Sequence, residues 1–343
     1  MKFEAVTIKD IAKALGLSVS TVSRALRDSY EISPETKKLV LECAEKLNYK
    51  PNPIALSLKE RRTRSIGVVV CEIANNFFSQ VINGIESVAY DKGYNVIISQ
   101  SHESYEREVI DLQYLASRSV DGLLISVSTE TNDFSHLRVL HEKGFPIVFF
   151  DRVTSELQTH AVTVDNFKGS YEATEHLLKN GFENIAAITN SEFLSISNER
   201  ISGYKAALAD YQIKPRKGFI QHCFYGGMIF SEIEEAVNRL LSLPERPDAI
   251  ITMSDKLSTG CIKTLKRRGM KIPGEIAIIG FSNSDIAELI DPPLSVVRQP
   301  ALEMGKAAMD LLIQIIEAKR PITEFEKRVL TPELIIRNSS LKS

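Results

Sequence analysis

The residues best placed to do chemistry lie near the start of the chain, in Ser18-Val19-Ser20-Thr21-Val22-Ser23-Arg24-Ala25-Leu26-Arg27. With Val22 and Leu26 turned inward on a helix, i,i+4 geometry puts Ser20 and Arg24 on one exposed stripe and Ser23 and Arg27 on the next. An arginine so placed can pair bidentately with guanine O6 and N7, worth about 1–3 kcal/mol of discrimination, while serines suit phosphate oxygens or base edges. Catalytic groupings find little support. The sequence has no G-x-G-x-x-G after its first apolar run, and no G-x-x-x-x-G-K-[ST], G-x-S-x-G or H-E-x-x-H, so nucleotide, hydrolase and zinc-protease chemistry lack their residues. The six histidines are dispersed, with His136 and His141 five apart, and Cys43, Cys71, Cys223 and Cys261 lack C-x-x-C spacing. We expect reduced, structural cysteines, no metal, no cofactor and no enzymatic activity.

The elements that position the Ser/Arg stripe are written in local signals. Thr7-Ile8-Lys9-Asp10 reads as a capping box that starts a helix at about Ile8, and Gly16 stops it. Ser18 caps a second helix to about Leu26, and Ser33-Pro34-Glu35 starts a third that ends near Leu47. Two helices across a tight glycine turn make a helix-turn-helix, with Ile11, Ala12, Leu15, Val22 and Leu26 as its core. Next, Pro51-Asn52-Pro53-Ile54-Ala55-Leu56-Ser57-Leu58 leaves room for under two helical turns before a basic linker. So short a helix is unstable alone and needs a partner, such as the same face of a second subunit, with Leu58 available as a wedge between base steps.

Residues 1–64 carry thirteen Lys+Arg against eight Asp+Glu, whereas the remaining 279 residues are net acidic by seven charges. That asymmetry fits a nucleic-acid-facing head on an acidic body. The whole chain has 343 residues, 43% hydrophobic and 25% charged, which excludes collagen-like, disordered and disulfide-scaffold classes. No apolar run approaches the roughly 20 residues of a membrane span, and the first ten residues lack the apolar core of a secretory signal, so a cytoplasmic location is expected.

Beyond residue 65, short apolar runs alternate with helical stretches, as in βαβ units with parallel sheets. Strands are expected at 65–70, 95–99, 122–126, 146–150, 161–164, 184–189, 219–223, 248–253 and 275–280. Glycines 93, 144, 181 and 269 follow predicted helices where a left-handed cap is wanted. About nine strands of parallel type exceed one comfortable sheet and imply two lobes.

The runs Thr7-Ile8-Lys9-Asp10-Ile11-Ala12, Gly16 to Leu26 and Leu47-Asn48-Tyr49-Lys50-Pro51-Asn52 closely resemble the head of LacI/GalR-family transcriptional regulators, and the body extends the likeness to nearly the whole chain. The resemblance implies an all-α helix-turn-helix DNA-binding head with a hinge helix, joined to an α/β two-lobe periplasmic-binding-protein-like (Rossmann-like) effector domain. It implies base reading in the major groove by Val19, Ser20 and Arg24. It further implies DNA-backbone contacts by Thr7, Ser18, Ser23, Ser33, Thr36, Tyr49 and Asn52, and a minor-groove hinge at Ala55 and Leu58. Val19 and Ser20 are small, so operator preference does not carry over from the family. The expected domains are 1–50 for the head, 51–64 for hinge and linker, and 65–339 for the body. Its lobes are expected at about 65–161 with 293–321, and 162–292 with 322–339, joined by three crossovers.

Ligands bind outside the carboxyl ends of such strands. Strand ends nominate Phe77 and Phe78, Asp151 and Arg152, Asp165, Phe224, Asp255 and Ser282, a set suited to a small polar metabolite. Arg200 matches the arginine that family members use to hold effector. Many sugar-responsive relatives have aspartate where this chain has Ser282, and with Arg152 and Arg200 nearby an acidic sugar or other anion is expected. The implied partners are a double-stranded pseudo-palindromic operator, a sugar or sugar-acid effector and a second copy of the chain, either as a homodimer or as a dimer of dimers, with no membrane.

Overall fold

Local capping builds the first three helices, α1 (Ile8–Leu15), α2 (Val19–Ala25) and α3 (Pro34–Lys46). The computed structural model describes residues 6–50 and 62–342, in two units, Met1–Arg64 and Ser65–Ser343. At the start of α1 the Asp10 carboxylate accepts from the Thr7 amide at 2.8 Å and from its hydroxyl at 2.7 Å. These bonds hold the Asp10 pKa below its ordinary value. Gly16 ends the helix in the left-handed region, φ 64°, where an L side chain is strained. Ser18 accepts from the Thr21 amide at 3.1 Å and Ser33 from the Thr36 amide at 3.3 Å. Ile11, Ala12, Val22, Ala25, Val40 and Ala44 form the buried centre, with Leu15 and Leu26 packed against it. The expected hinge helix, with Asn52, Ala55 and Leu58, lies outside the described residues.

The second unit contains two six-stranded sheets. The first joins β1 (Ser65–Val70), β2 (Asn95–Gln100), β3 (Gly122–Ile125), β4 (Ile147–Phe150), β5 (Ala161–Val164) and β11 (Lys327–Leu330), in the order β11-β5-β4-β3-β1-β2, all parallel. The second joins β6 (Ile185–Thr189), β7 (Ile220–His222), β8 (Ala249–Thr252), β9 (Ala277–Phe281), β10 (Ser295–Arg298) and β12 (Glu333–Ile335), in the order β12-β10-β9-β8-β6-β7, with only the β10/β12 pair antiparallel. Helices α4 (Asn76–Asp91), α5 (Tyr105–Ser117), α6 (Ser135–Glu142) and α11 (Ala301–Glu317) accompany the first sheet. Helices α7 (Asn166–Lys179), α8 (Ser195–Asp210), α9 (Phe230–Leu241) and α10 (Asp255–Arg267) accompany the second. Strands buried on both faces explain the near-continuous apolar runs, as in β1, which is buried at every residue from Ile66 to Val70.

Sheet membership corrects the expected lobe boundaries. β5 pairs with β4 and β11, so the first lobe continues to 164 instead of ending at 161. β10 pairs with β9, moving the return crossover to about Gln299 and Pro300, and β11 and β12 place the last crossover at 331–332. The chain passes between the sheets three times, with twelve strands among the described residues where about nine were expected.

Each lobe contains one very close helix pair. A Cβ on Gly84 of α4 would lie 2.1 Å from the Leu302 carbonyl oxygen of α11, and one on Gly305 would lie 2.0 Å from that of Val81. In the second lobe a Cβ on Gly203 of α8 would lie 2.2 Å from the Phe167 oxygen of α7. Hydrogen at these positions lets the backbones touch.

Candidate functional site

In the head, α2 turns Val22 and Ala25 into the core and leaves Val19, 43% exposed, with Ser20 and Arg24 on its outer face. The hydroxyls of Ser18 and Ser20 are 2.8 Å apart, and Arg24 pairs with Glu31 at 2.8 Å. Thr7, Ser18 and Ser33 are exposed, Ser23 and Thr36 are half-buried, and Tyr49 packs against the head core. The result is a polar face of hydroxyls with one guanidinium whose ion pair is open to water and therefore weak.

In the body, side chains from both lobes meet around a cavity of about 40 Å³. The first lobe gives Phe77 and Phe78 at the start of α4 and Asp151 and Arg152 after β4. The second gives Arg200 on α8, Asp255 at the start of α10 and Phe281 at the end of β9, while Gln299 lies on a crossover. A neighbouring cavity of about 30 Å³ shares Asn75, Phe78, Arg152, Asn190 and Ser254. Each is about the size of one water, so the lobes or side chains must part to admit a metabolite.

Arg200 is 3% exposed and sits 4.2 Å over the Phe281 ring. It donates from Nε to Asn166 Oδ1 at 2.8 Å and from a terminal nitrogen to the Met253 carbonyl at 2.5 Å. Burial pulls its pKa down to about 10, with Asp151 resisting and Arg152 adding to the fall. Arg152 donates bidentately to Glu103, at 2.6 and 2.9 Å, and its Nε has no hydrogen-bond partner among the described residues. Burial works against the Arg152 charge, but Cys71 and Glu103 hold its pKa above the ordinary value. Burial raises the pKa of Asp151, with Arg152 and Arg200 opposing. It raises that of Asp255 too, with Ser282 and the Asn283 amide opposing.

Three expected cleft residues stand elsewhere. Asp165 caps α7, accepting from the Lys168 amide at 2.9 Å. Phe224 is 53% exposed and does not line either cavity. Ser282 lies behind Asp255, donating to its Oδ1. Asp255 supplies a carboxylate in the cleft whose Oδ2 has no hydrogen-bond partner among the described residues.

Glu103 and Asn190, which follow β2 and β6, also line the cavities, and strand ends in the sequence nominate neither. Glu103 has φ 63° and Asp151 φ 60°, left-handed conformations uncommon outside glycine and frequent at ligand sites. Cys71, Cys223 and Cys261 are buried free thiols, and Cys71 also receives a contact from Arg152 at 3.1 Å.

The model for bacterial regulatory proteins of the lacI family matches residues 7–52. The model for periplasmic binding proteins and the sugar-binding domain of the LacI family matches 63–335. The HTH-type transcriptional repressor PurR of Vibrio campbellii is 32% identical over 338 residues, covering 98% of this chain and 99% of that protein. A LacI-family transcriptional regulator from Enterococcus faecium, solved with bound ribose, is 29% identical, with a TM-score of 0.70 over 81% of this chain and 99% of that one. The lac repressor dimer bound to operator and an anti-inducer, at 22% identity, shares the fold, with a TM-score of 0.81 over 98% and 100% of the two chains. With its capped helix-turn-helix and two-lobed cleft, the chain belongs to the LacI family of bacterial regulatory proteins and is a ligand-controlled, DNA-binding transcriptional repressor, not an enzyme.

Proposed function

We propose that the effector is a neutral polyhydroxylated metabolite of the sugar class, held between the lobes by Arg200, Asp151, Asp255 and the edges of Phe77 and Phe281. The observation that carries this reading is the mixture of unpartnered groups lining the cavities. Asp255 Oδ2 and Asn190 Oδ1 are acceptors, while Arg152 Nε is a donor. A hydroxyl donates and accepts at once and can answer both kinds, whereas a carboxylate or phosphate only accepts and meets Asp255 as a like charge. The anionic effector expected from two nearby arginines loses support because Glu103 already occupies Arg152. The Enterococcus faecium relative with bound ribose supports the same class.

Two chains pair, and their heads take half-sites of a pseudo-palindromic operator, with α2 in the major groove so that Ser20 and Arg24 reach base edges. Thr7, Ser18 and Ser33 contact phosphates, Ala55 and Leu58 serve at the minor groove, and the protein acts in the cytoplasm. No helix among the described residues is long and apolar enough to cross a membrane. The effector changes DNA affinity by its unequal affinity for two lobe arrangements. The deciding experiment selects sites from random duplex DNA at moderate salt, without effector, with a pool of neutral sugars and, separately, with a pool of sugar acids. An enriched palindrome whose recovery changes with the neutral pool supports the reading. Enrichment that responds only to sugar acids overturns the effector class.

A further inference from the structure

Glu103 forms a buried bidentate ion pair with Arg152 in the cleft, at 2.6 and 2.9 Å. Its carboxylate accepts end-on from both terminal nitrogens of Arg152 and also from the Thr129 amide at 2.9 Å. The pair is nearly buried, with side chains 7% and 10% exposed, and lines a cavity between the lobes. The other lobe closes directly upon it: a Cβ on Gly226 would lie 2.9 Å from Glu103 Oε1. Burial opposes the Glu103 charge, yet Arg152, the Thr129 amide and Cys71 together lower its pKa, so the carboxylate is ionised at neutral pH.

A buried guanidinium at a ligand cavity is ordinarily the group that captures a carboxylate or phosphate bidentately. We propose that Glu103 sets the charge class of the effector by occupying the terminal nitrogens of Arg152, an internal counterpart of an anionic ligand group that keeps phosphorylated and carboxylated sugars out. This rests on the cleft being the effector site. Around the two cavities the four carboxylates Glu72, Glu103, Asp151 and Asp255 face the cations Arg152, Arg200 and Lys256. Arg152 offers an incoming ligand its Nε and not the edge between its terminal nitrogens. Removing the Glu103 charge brings the balance to three carboxylates against three cations and leaves the terminal nitrogens of Arg152 open to an anion.

The test uses inorganic phosphate, titrated calorimetrically at constant ionic strength into the full-length protein, Glu103→Gln and Glu103→Met/Arg152→Met. Glu103→Gln should bind phosphate at least about tenfold more tightly than wild type, the double variant should not, and neutral-sugar thermal shifts should persist in Glu103→Gln. Equal phosphate affinity in wild type and Glu103→Gln, or an equal gain in the double variant, overturns the proposal. Glu103→Asp covers a fold failure of Glu103→Gln, because aspartate tolerates the left-handed backbone and is too short to reach both terminal nitrogens. It should show an intermediate gain, and no gain refutes the idea. Failure of the effector-site reading looks different: neutral sugars then shift the melting of wild type and Arg200→Ala alike, whatever phosphate does.

Discussion

Ser282 donates its hydroxyl to Oδ1 of Asp255, so the residue that follows β9 orients the carboxylate that opens α10. The other carboxylate oxygen has no hydrogen-bond partner among the described residues, and burial raises the Asp255 pKa. A carboxyl raised in the folded state keeps a proton that the unfolded chain has already lost. Stability therefore falls as pH rises from the ordinary aspartate range through the folded value, and the loss persists above it. Asp151 acts in the same direction, while Glu103, lowered by Arg152, contributes stability that disappears as pH falls through its folded pKa.

Asp255→Asn should therefore raise the urea midpoint at pH 7 more than at pH 4, since asparagine keeps an acceptor for Ser282 and carries no charge. Neutral-sugar affinity should fall in the same variant. An equal change in midpoint at both pH values would mean that the Asp255 charge is not the cause.

Replacing Arg200 tests the cleft from the other side. Arg200→Ala leaves Asn166 Oδ1 and the Met253 carbonyl without this donor, a cost of about 1–3 kcal/mol for each group left unsatisfied. The variant should melt at a lower temperature and lose its response to sugar, while binding operator nearly as wild type does without effector. Collapse of effector-free operator binding would make Arg200 a structural residue.

On the head, Arg24→Ala should weaken the selected operator by about 10- to 100-fold, the worth of one bidentate guanine pair, and random DNA much less. Glu31→Gln releases Arg24 from an exposed ion pair and should leave head stability within about 1 kcal/mol. Competition binding on matched and scrambled duplexes separates these effects. Equal losses on both for Arg24→Ala would remove it as a base reader.

Glycine spacing gives a packing prediction. Gly305→Ala puts a methyl 2.0 Å from the Val81 oxygen, a clash that no flexible side chain can relieve. The α4/α11 pair must separate, at a cost of about 1–3 kcal/mol or more, read as a lower denaturation midpoint. Gly144→Ala meets nothing within 4 Å, but its φ of 78° makes any loss one of backbone strain alone. A smaller loss at Gly305 than at Gly144 would contradict the close approach.

How much of this was readable without coordinates depended on how local the signal was. Thr7 with Asp10, Ser18 and Ser33 with Pro34 announce their helices within four residues, so the head elements appear where expected. The strands that went unseen, β10, β11 and β12, are three or four residues long, and β11 and β12 are sheet-edge strands partly exposed to solvent. Their lack of a long apolar run also displaced the lobe boundaries. In the cleft, strand-end counting found Phe77, Phe78, Asp151, Arg152 and Asp255. It could not show that Glu103, 49 positions before Arg152, pairs with the guanidinium, because that pairing exists only once β2 and β4 share a sheet.

Lobe closure has its own polar contacts, which sets the last prediction. Lys256 of α10 pairs with Glu72, just after β1, at 2.8 Å. Gln80 of α4 exchanges two bonds with Asn283, accepting from its side-chain amide at 2.8 Å and donating to its carbonyl at 3.2 Å. Contacts present only in the closed arrangement raise the population that binds effector, so their removal lowers apparent affinity in proportion. The Lys256–Glu72 pair is partly exposed, and its coupling should be about 0.2–1 kcal/mol, diminishing with salt. Lys256→Met and Glu72→Gln should each weaken neutral-sugar binding, and the double variant should lose less than the sum of the two. Full additivity would mean that the pair does not act as a unit in closure, and stronger sugar binding in Gln80→Ala would mean that the amide exchange opposes it.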